Sequence, residues 1–425
     1  MKTVLGTMAG IAALAAATPA LADTTIIHAG AVLSDADGAP SGPATITVTD
    51  GRIVSIVDGF APTPEGAEMV HLPDHTVLPG LIDLHTHLSG DPSGEFWRAA
   101  TTPPEWNVLV AAKNARLTAK AGFTTVRDLG SRTDQVAQML RRATAEGMLP
   151  GPRVVTSGRT IAIVGGHGDV NGFRRGVGET LTTDFTCTGP VECSEMVRTA
   201  SKYGADLIKI TATGGVLSQQ GRGLEAHFTD AEMKAIVDTA ATLGLKVAAH
   251  AHGARGIEAA ARAGVQTIEH GTYIDEQAAR VMRENGTILV PTLMAFQGIK
   301  TNLGTGFYTP VVEEKVRAVG EYAESIVQRA RQWNVKIAFG TDAGVFPHGE
   351  NAGEFRQMVL GGMSARQALA SATTVAAEVI GLEKEIGRLA PGYSADIIAV
   401  KGNPLTDVTV LESVDWTMVR GRVID

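Results

Sequence analysis

Cysteine is nearly absent from this chain. Among 425 residues only Cys187 and Cys193 occur, both inside the stretch "CTGPVEC". Two thiolates leave half of a tetrahedral site unfilled, so this pair alone is a poor metal site. A local disulfide around the Gly-Pro turn is the expected state in an oxidising compartment, and two free thiols are the alternative. A basic surface is missing as well: 37 Lys and Arg stand against 45 Asp and Glu, a formal net charge of −8. Without clustered cations the chain is a poor nucleic-acid binder, which leaves a small molecule as the expected partner. No apolar run beyond the N-terminus is long enough to span a bilayer. Low-complexity tracts, solenoid repeats and flexible linkers are also absent.

What is present begins with "MKTVLGTMAGIAALAAATPALA". One Lys, a short Ala-rich apolar run and Ala20-Leu21-Ala22 before Asp23 read as a secretory signal peptide over residues 1–22. A membrane anchor is the competing reading, weakened by the shortness of the run and the cleavage pattern after it. The expected location is therefore the periplasm or the exterior, with no membrane association once the signal is removed.

The chain has the length of a barrel of roughly 250 residues with a smaller unit attached. Residues 24–76 hold short β-like runs separated by turn signals, and "SADIIAVKG" and "WTMVRGRVID" repeat that character at the end. Between them apolar runs alternate with Ala-rich helical patterns, for example "ADLIKITATGG", "LKVAAHAHG", "VQTIEHGTY" and "VKIAFGTDAG". Such alternation argues for a parallel sheet. Eight candidate strands, "PRVVTSGRTIAI" among them, favour an α/β fold of the closed (β/α)8 TIM-like type over residues 79–381. A small discontinuous β-sandwich domain is expected from residues 23–78 and 382–425. Thr229 and Asp230, with Glu232 in the first turn, mark a capped helix. The stretch 165–200 reads as mostly irregular, a candidate wall or lid of the pocket.

In "LIDLHTHL" strand alternation puts His85 and His87 on one face. Read alone, such a pair is more often hydrogen-bonded or at the surface than a metal site. Position changes the weighing. Lys209, His250 with His252, His270 and Asp342 stand at the ends of other expected strands, where barrel enzymes gather catalytic groups. Core histidines do not explain a whole set of metal-ligand residue types placed this way.

The pattern "PGLIDLHTHL", "IKITATGG", "AAHAHG", "IEHGTYID" and "FGTDAG" resembles the metal-dependent amidohydrolase superfamily. The likeness is to its imidazolonepropionase-like branch, which contains Xaa-Pro dipeptidases, carboxypeptidases and ochratoxin-hydrolysing amidases. The resemblance implies two divalent metal ions, usually Zn2+, bridged by a hydroxide and by a carbamate formed from CO2 on Lys209. By the matching motifs His85, His87 and Asp342 would bind the more buried ion, His250 and His270 the more exposed one. Asp342 would also carry the proton from the nucleophile to the leaving amine. His252 is assigned to the pocket.

Substrate binding falls by the same likeness to His167 and Tyr273, which together suggest a site for a terminal carboxylate. A loop histidine and a packing aromatic are the plainer readings of these two. Arg222 could add positive charge or be merely solvated. The expected reaction is release of a terminal amino acid from an N-acyl group, with an apolar, proline-like or phenylalanine-like leaving residue. A mononuclear cyclic-amide hydrolase or deaminase and a non-catalytic exported metal- or peptide-binding protein are the alternatives; Lys209 argues against the first, Asp342 against the second. A homo-oligomer is expected from the family habit.

Overall fold

The computed structural model describes residues 23–425 other than 93–94, 132, 134, 183 and 222, and at 96, 99 and 321 the backbone only. The expected signal segment 1–22 and Arg222 lie outside the described residues. The fold is α/β. From the N-terminus come β1 (Thr24–Val32), β2 (Ala44–Thr49), β3 (Arg52–Asp58) and β4 (Glu68–Pro79). Next come β5 (Leu81–Thr86), β6 (Phe123–Asp128), β7 (Arg153–Thr156), β8 (Thr160–Ile163), β9 (Thr186–Cys187) and β10 (Ile208–Thr211). They are followed by β11 (Val247–Ala251), β12 (Thr267–His270) and β13 (Ile288–Val290), and the C-terminus adds β14 (Ile397–Val400), β15 (Val414–Val419) and β16 (Arg422–Val423).

The two ends of the chain share one seven-stranded mixed sheet in the order β16-β15-β14-β4-β1-β2-β3. A sandwich of two sheets was the expectation, and the pairing explains the difference. Strand β4 runs parallel to β1 on one edge and antiparallel to β14 on the other, so the N- and C-terminal strands meet edge to edge within a single sheet.

The central strands also depart from the expectation of one closed ring. Among the described residues they form a three-stranded parallel sheet, β5-β6-β7, and a six-stranded parallel sheet, β13-β12-β11-β10-β8-β9. The expected single strand "PRVVTSGRTIAI" is broken at Gly158, whose φ of +68° is a left-handed turn that glycine adopts without strain. Its first half, β7, pairs with β6, and its second half, β8, pairs with β10. Segment 336–343 makes only single parallel bridges, Leu289 to Ile337 and Thr86 to Ala343. Backbone bonds from Ala338 N to Leu289 O at 2.9 Å and from Leu84 N to Phe339 O at 3.1 Å hold it between β13 and β5. Gly340 permits this approach, since a Cβ there would lie 2.4 Å from Val290 Cγ1 and 3.0 Å from His85 N.

Every residue of β5, β6, β10, β11 and β12 is buried, the pattern of parallel strands covered on both faces. Helices supply the cover. That over Asp230–Thr242 starts with the Thr229–Glu232 capping box, which satisfies otherwise orphaned N–H groups. The stretch 165–200 is more ordered than its sequence suggests, containing helices Arg175–Leu181 and Gly189–Lys202. Cys187 and Cys193 are disulfide-bonded there. Among the described residues no helix is long and apolar enough to cross a membrane.

Candidate metal centre

The ends of β5, β11 and β12, with segment 336–343, bring six side chains into two groups. His85, His87 and Asp342 offer ligand atoms within 4.8 Å of one another, and so do His250, His252 and His270. The His85 and His270 rings, 5.2 Å between centroids, join the groups. Two of these residues adopt left-handed backbone, His270 at φ +72° and Asp342 at φ +62°, a conformation costly for non-glycine residues and concentrated at functional sites.

Hydrogen bonds fix which nitrogen of each imidazole is free. His85 Nδ1 lies 2.9 Å from Glu269 Oε2, and burial, which would raise the Glu269 pKa, is outweighed by Arg127 and His85, leaving it at about 2. An ionised carboxylate only accepts, so His85 Nδ1 carries the proton and Nε2 its lone pair. His87 Nδ1 donates to Gly130 O at 2.9 Å in the same way. His270 Nδ1 meets Thr292 Oγ1 at 2.7 Å while that hydroxyl donates to Pro291 O at 2.8 Å, so Thr292 accepts and His270 Nε2 is free. His250 is turned the other way: Nε2 donates to Gly214 O at 3.2 Å and Nδ1 is left open.

In the first group three lone-pair sites therefore converge. Asp342 Oδ1 is buried and without a hydrogen bond, and it faces His87 Nε2 at 3.2 Å and His85 Nε2 at 3.5 Å. Acceptors gathered without a donor call for a cation, and the residues fit a divalent metal ion by chemistry and by orientation. The same demand for positive charge shows in His87: burial lowers its pKa, but the adjacent Asp342 carboxylate raises it above the ordinary histidine value. For Asp342 burial acts upward, and the neighbouring His85 and His87 outweigh it to hold the carboxyl below its usual range. In the second group burial, then neighbouring histidines, push His250 and His270 well below the ordinary value. Neutral imidazole is the form that binds metal.

Lys209 on β10 is 3% exposed, and its side chain makes no hydrogen bond among the described residues. Burial lowers its pKa to about 8, with Glu269 and Asp342 opposing. Its charge depresses His85 in one group and His250, His252 and His270 in the other, so it lies within range of both.

His252 joins the second group directly, its ring stacked on His270 at 5.0 Å and its Nδ1 2.7 Å from Thr272 Oγ1. His167 lies beside it, with its ring 4.3 Å from that of His250 and its Nδ1 2.6 Å from Ser218 Oγ. Tyr273 is not drawn into either group. Its hydroxyl donates to Ala318 O at 3.0 Å and its ring lies 4.8 Å from that of Tyr322.

The supporting acids and their partners escaped the sequence reading. Asp83 accepts from His85 N at 3.0 Å, Thr341 Oγ1 at 2.6 Å and Asn351 Nδ2 at 2.8 Å, and burial raises its pKa to about 6. Glu269 holds Arg127 as well as His85, with Arg127 NH2 at 2.9 Å. A signal existed for Asp83, a carboxylate between Ile82 and Leu84 in the apolar start of β5, where an unpaired charge is costly.

Comparison with known proteins defines the class. Residues 76–424 match the Amidohydrolase family, and the chain belongs to that family and is a hydrolase of amide bonds. Ochratoxinase of Aspergillus niger is 32% identical over 416 residues, which cover 92% of this chain and 84% of the relative. Among solved structures, a Xaa-Pro dipeptidase with bound methionine in its active site superposes with a TM-score of 0.87 at 40% identity, covering 94% of this chain and 99% of that one. A prolidase complexed with N-methylphosphonate-L-proline superposes at 0.82 with 32% identity, covering 95% and 99%.

Proposed function

We propose that this protein is an exported binuclear amidohydrolase that releases the C-terminal amino acid from N-acyl amino acids or dipeptides, ochratoxin-type aryl amides among them. The observation that carries the reading is the pair of adjacent groups whose free lone pairs and orphaned Asp342 Oδ1 face inward. On this reading the parallel strands and segment 336–343 act as one (β/α)8-type frame. Export rests on residues 1–22 alone, and a homo-oligomer remains part of the proposal.

His85, His87 and Asp342 would hold one ion, His250 and His270 the other, and Lys209 as a carbamate would supply an oxygen to each. Bound divalent ions supply Lewis acidity toward the amide carbonyl and lower the pKa of water. Asp342 takes a proton from the attacking water as its oxygen bonds to the carbonyl carbon. It delivers that proton to the amine nitrogen as the C–N bond breaks. The Glu269 and Thr292 contacts keep His85 and His270 in their binding tautomers throughout.

The relatives support the substrate class. A methionine and a proline phosphonate bound to two of them are amino acids or built on one, and ochratoxinase is named for ochratoxin. His167, His252, Tyr273 and Arg222 are assigned to substrate on this reading. A panel of N-acyl amino acids, each with a free or an amidated C-terminus, tests it: hydrolysis of the free acids and loss of most turnover on amidation are expected. Equal turnover of both sets would remove the carboxylate site. Asp342→Asn is expected to lower turnover by about 10²–10⁴ with metal retained, the usual worth of a proton-transferring group.

A further inference from the structure

We infer that Glu354 is a positioning residue for His270, acting by capping the helix Leu293–Thr301 and so leaving the Thr292 hydroxyl to orient the imidazole. The inference rests on the reading of His270 as a metal ligand.

Thr292 occupies the N-cap position of that helix. A threonine there ordinarily turns its side chain back to accept from the second or third helical N–H, which otherwise has no partner. Here it makes no such bond, and its φ of +51° is left-handed. Its hydroxyl is committed to His270 Nδ1 at 2.7 Å and Pro291 O at 2.8 Å. Of the N–H groups that Thr292 would cap, that of Met294 is taken instead by a side chain 60 residues away, which also takes the first helical N–H: Glu354 Oε2 accepts from Met294 N at 2.7 Å and Oε1 from Leu293 N at 2.9 Å. Glu354 is fully buried, a costly place for a carboxyl that only a specific polar demand explains. The same turn of chain reaches the other group, since Asn351 Nδ2 holds Asp83, which accepts from His85 N.

Glu354→Gln keeps the shape and one acceptor but leaves one helix N–H without a partner. That N–H competes for the Thr292 hydroxyl and loosens His270. The test loads wild type, Glu354→Gln, Thr292→Val, Thr292→Ser and the Glu354→Gln/Thr292→Val double variant with Zn2+, then follows metal per chain during dialysis against a chelator. Expected are wild-type retention in Thr292→Ser, a roughly 10–100-fold weaker hold on one ion in Glu354→Gln and Thr292→Val, and no further loss in the double variant. Wild-type retention by Glu354→Gln, or additive losses in the double variant, would overturn the inference. His270→Ala separates the two claims: if it leaves metal content unchanged the ligand reading fails, whereas reduced metal there with full retention in Glu354→Gln refutes only the role of Glu354.

Discussion

Glu269 Oε2 accepts from His85 Nδ1 at 2.9 Å while Oε1 of the same carboxylate accepts from Arg127 NH2 at 2.9 Å. One buried acid thus neutralises a buried guanidinium and sets the tautomer of a candidate ligand.

Replacing it separates those roles. Glu269→Gln leaves the Arg127 charge buried and unpaired, and a loss of about 3–5 kcal/mol in unfolding free energy is expected by urea titration of the metal-free protein. Adding Arg127→Met removes the uncompensated charge and restores most of that stability. Metal loading stays impaired in the double variant, because His85 Nδ1 has still lost its carboxylate.

Acid sensitivity follows from the imidazoles. Burial, together with neighbouring charges, takes His85 to about 4 and His252 to about 3, below the unfolded value of 6.5. Between those limits the unfolded chain binds more protons, so stability is complete above pH 6.5 and is lost as pH falls below it. Each such group contributes a slope of about 1.4 kcal/mol per pH unit. His252→Gln is expected to flatten the dependence between pH 6 and 4 by that amount, read from denaturant midpoints of the metal-free protein. An unchanged slope would place His252 in a more solvated setting than its stacking on His270 shows.

Lys209 makes a chemical prediction. With its pKa drawn down to about 8 by burial, an appreciable fraction is neutral amine near neutral pH, the form that reacts with CO2. Added bicarbonate is expected to speed recovery of activity when metal is returned, with native mass spectrometry showing one CO2 added per chain. Lys209→Ala is expected to cost more than the roughly 100-fold typical of outer-shell changes.

The grouping of candidate ligands was legible in the sequence because strand alternation and strand-end position are local properties. His85, His87, His250, His270, Lys209 and Asp342 all stand near the ends of apolar runs. The division into two parallel sheets was not legible in the same way, since Gly158 interrupts what reads as one strand and hands its halves to different sheets. The β-rich ends were readable as strands, but their edge-to-edge pairing depends on contacts across most of the chain. Distance also hid the supports: Arg127 meets Glu269 across 142 residues and Glu354 meets Leu293 across 61, spacings that carry no periodic signal. Likewise the hydrogen bond from the Tyr273 hydroxyl to Ala318 on the helix Pro310–Glu324 spans 45 residues and leaves no mark in the motif.

On the proposed reading two ions act together, and a metal titration separates this from a single-ion site. Zn2+ is returned stepwise to metal-free protein in the presence of bicarbonate while hydrolysis of an N-acyl amino acid is followed. Activity is expected to reach its plateau at two equivalents per chain. A plateau at one equivalent, or full turnover by the metal-free protein, would contradict a two-ion mechanism.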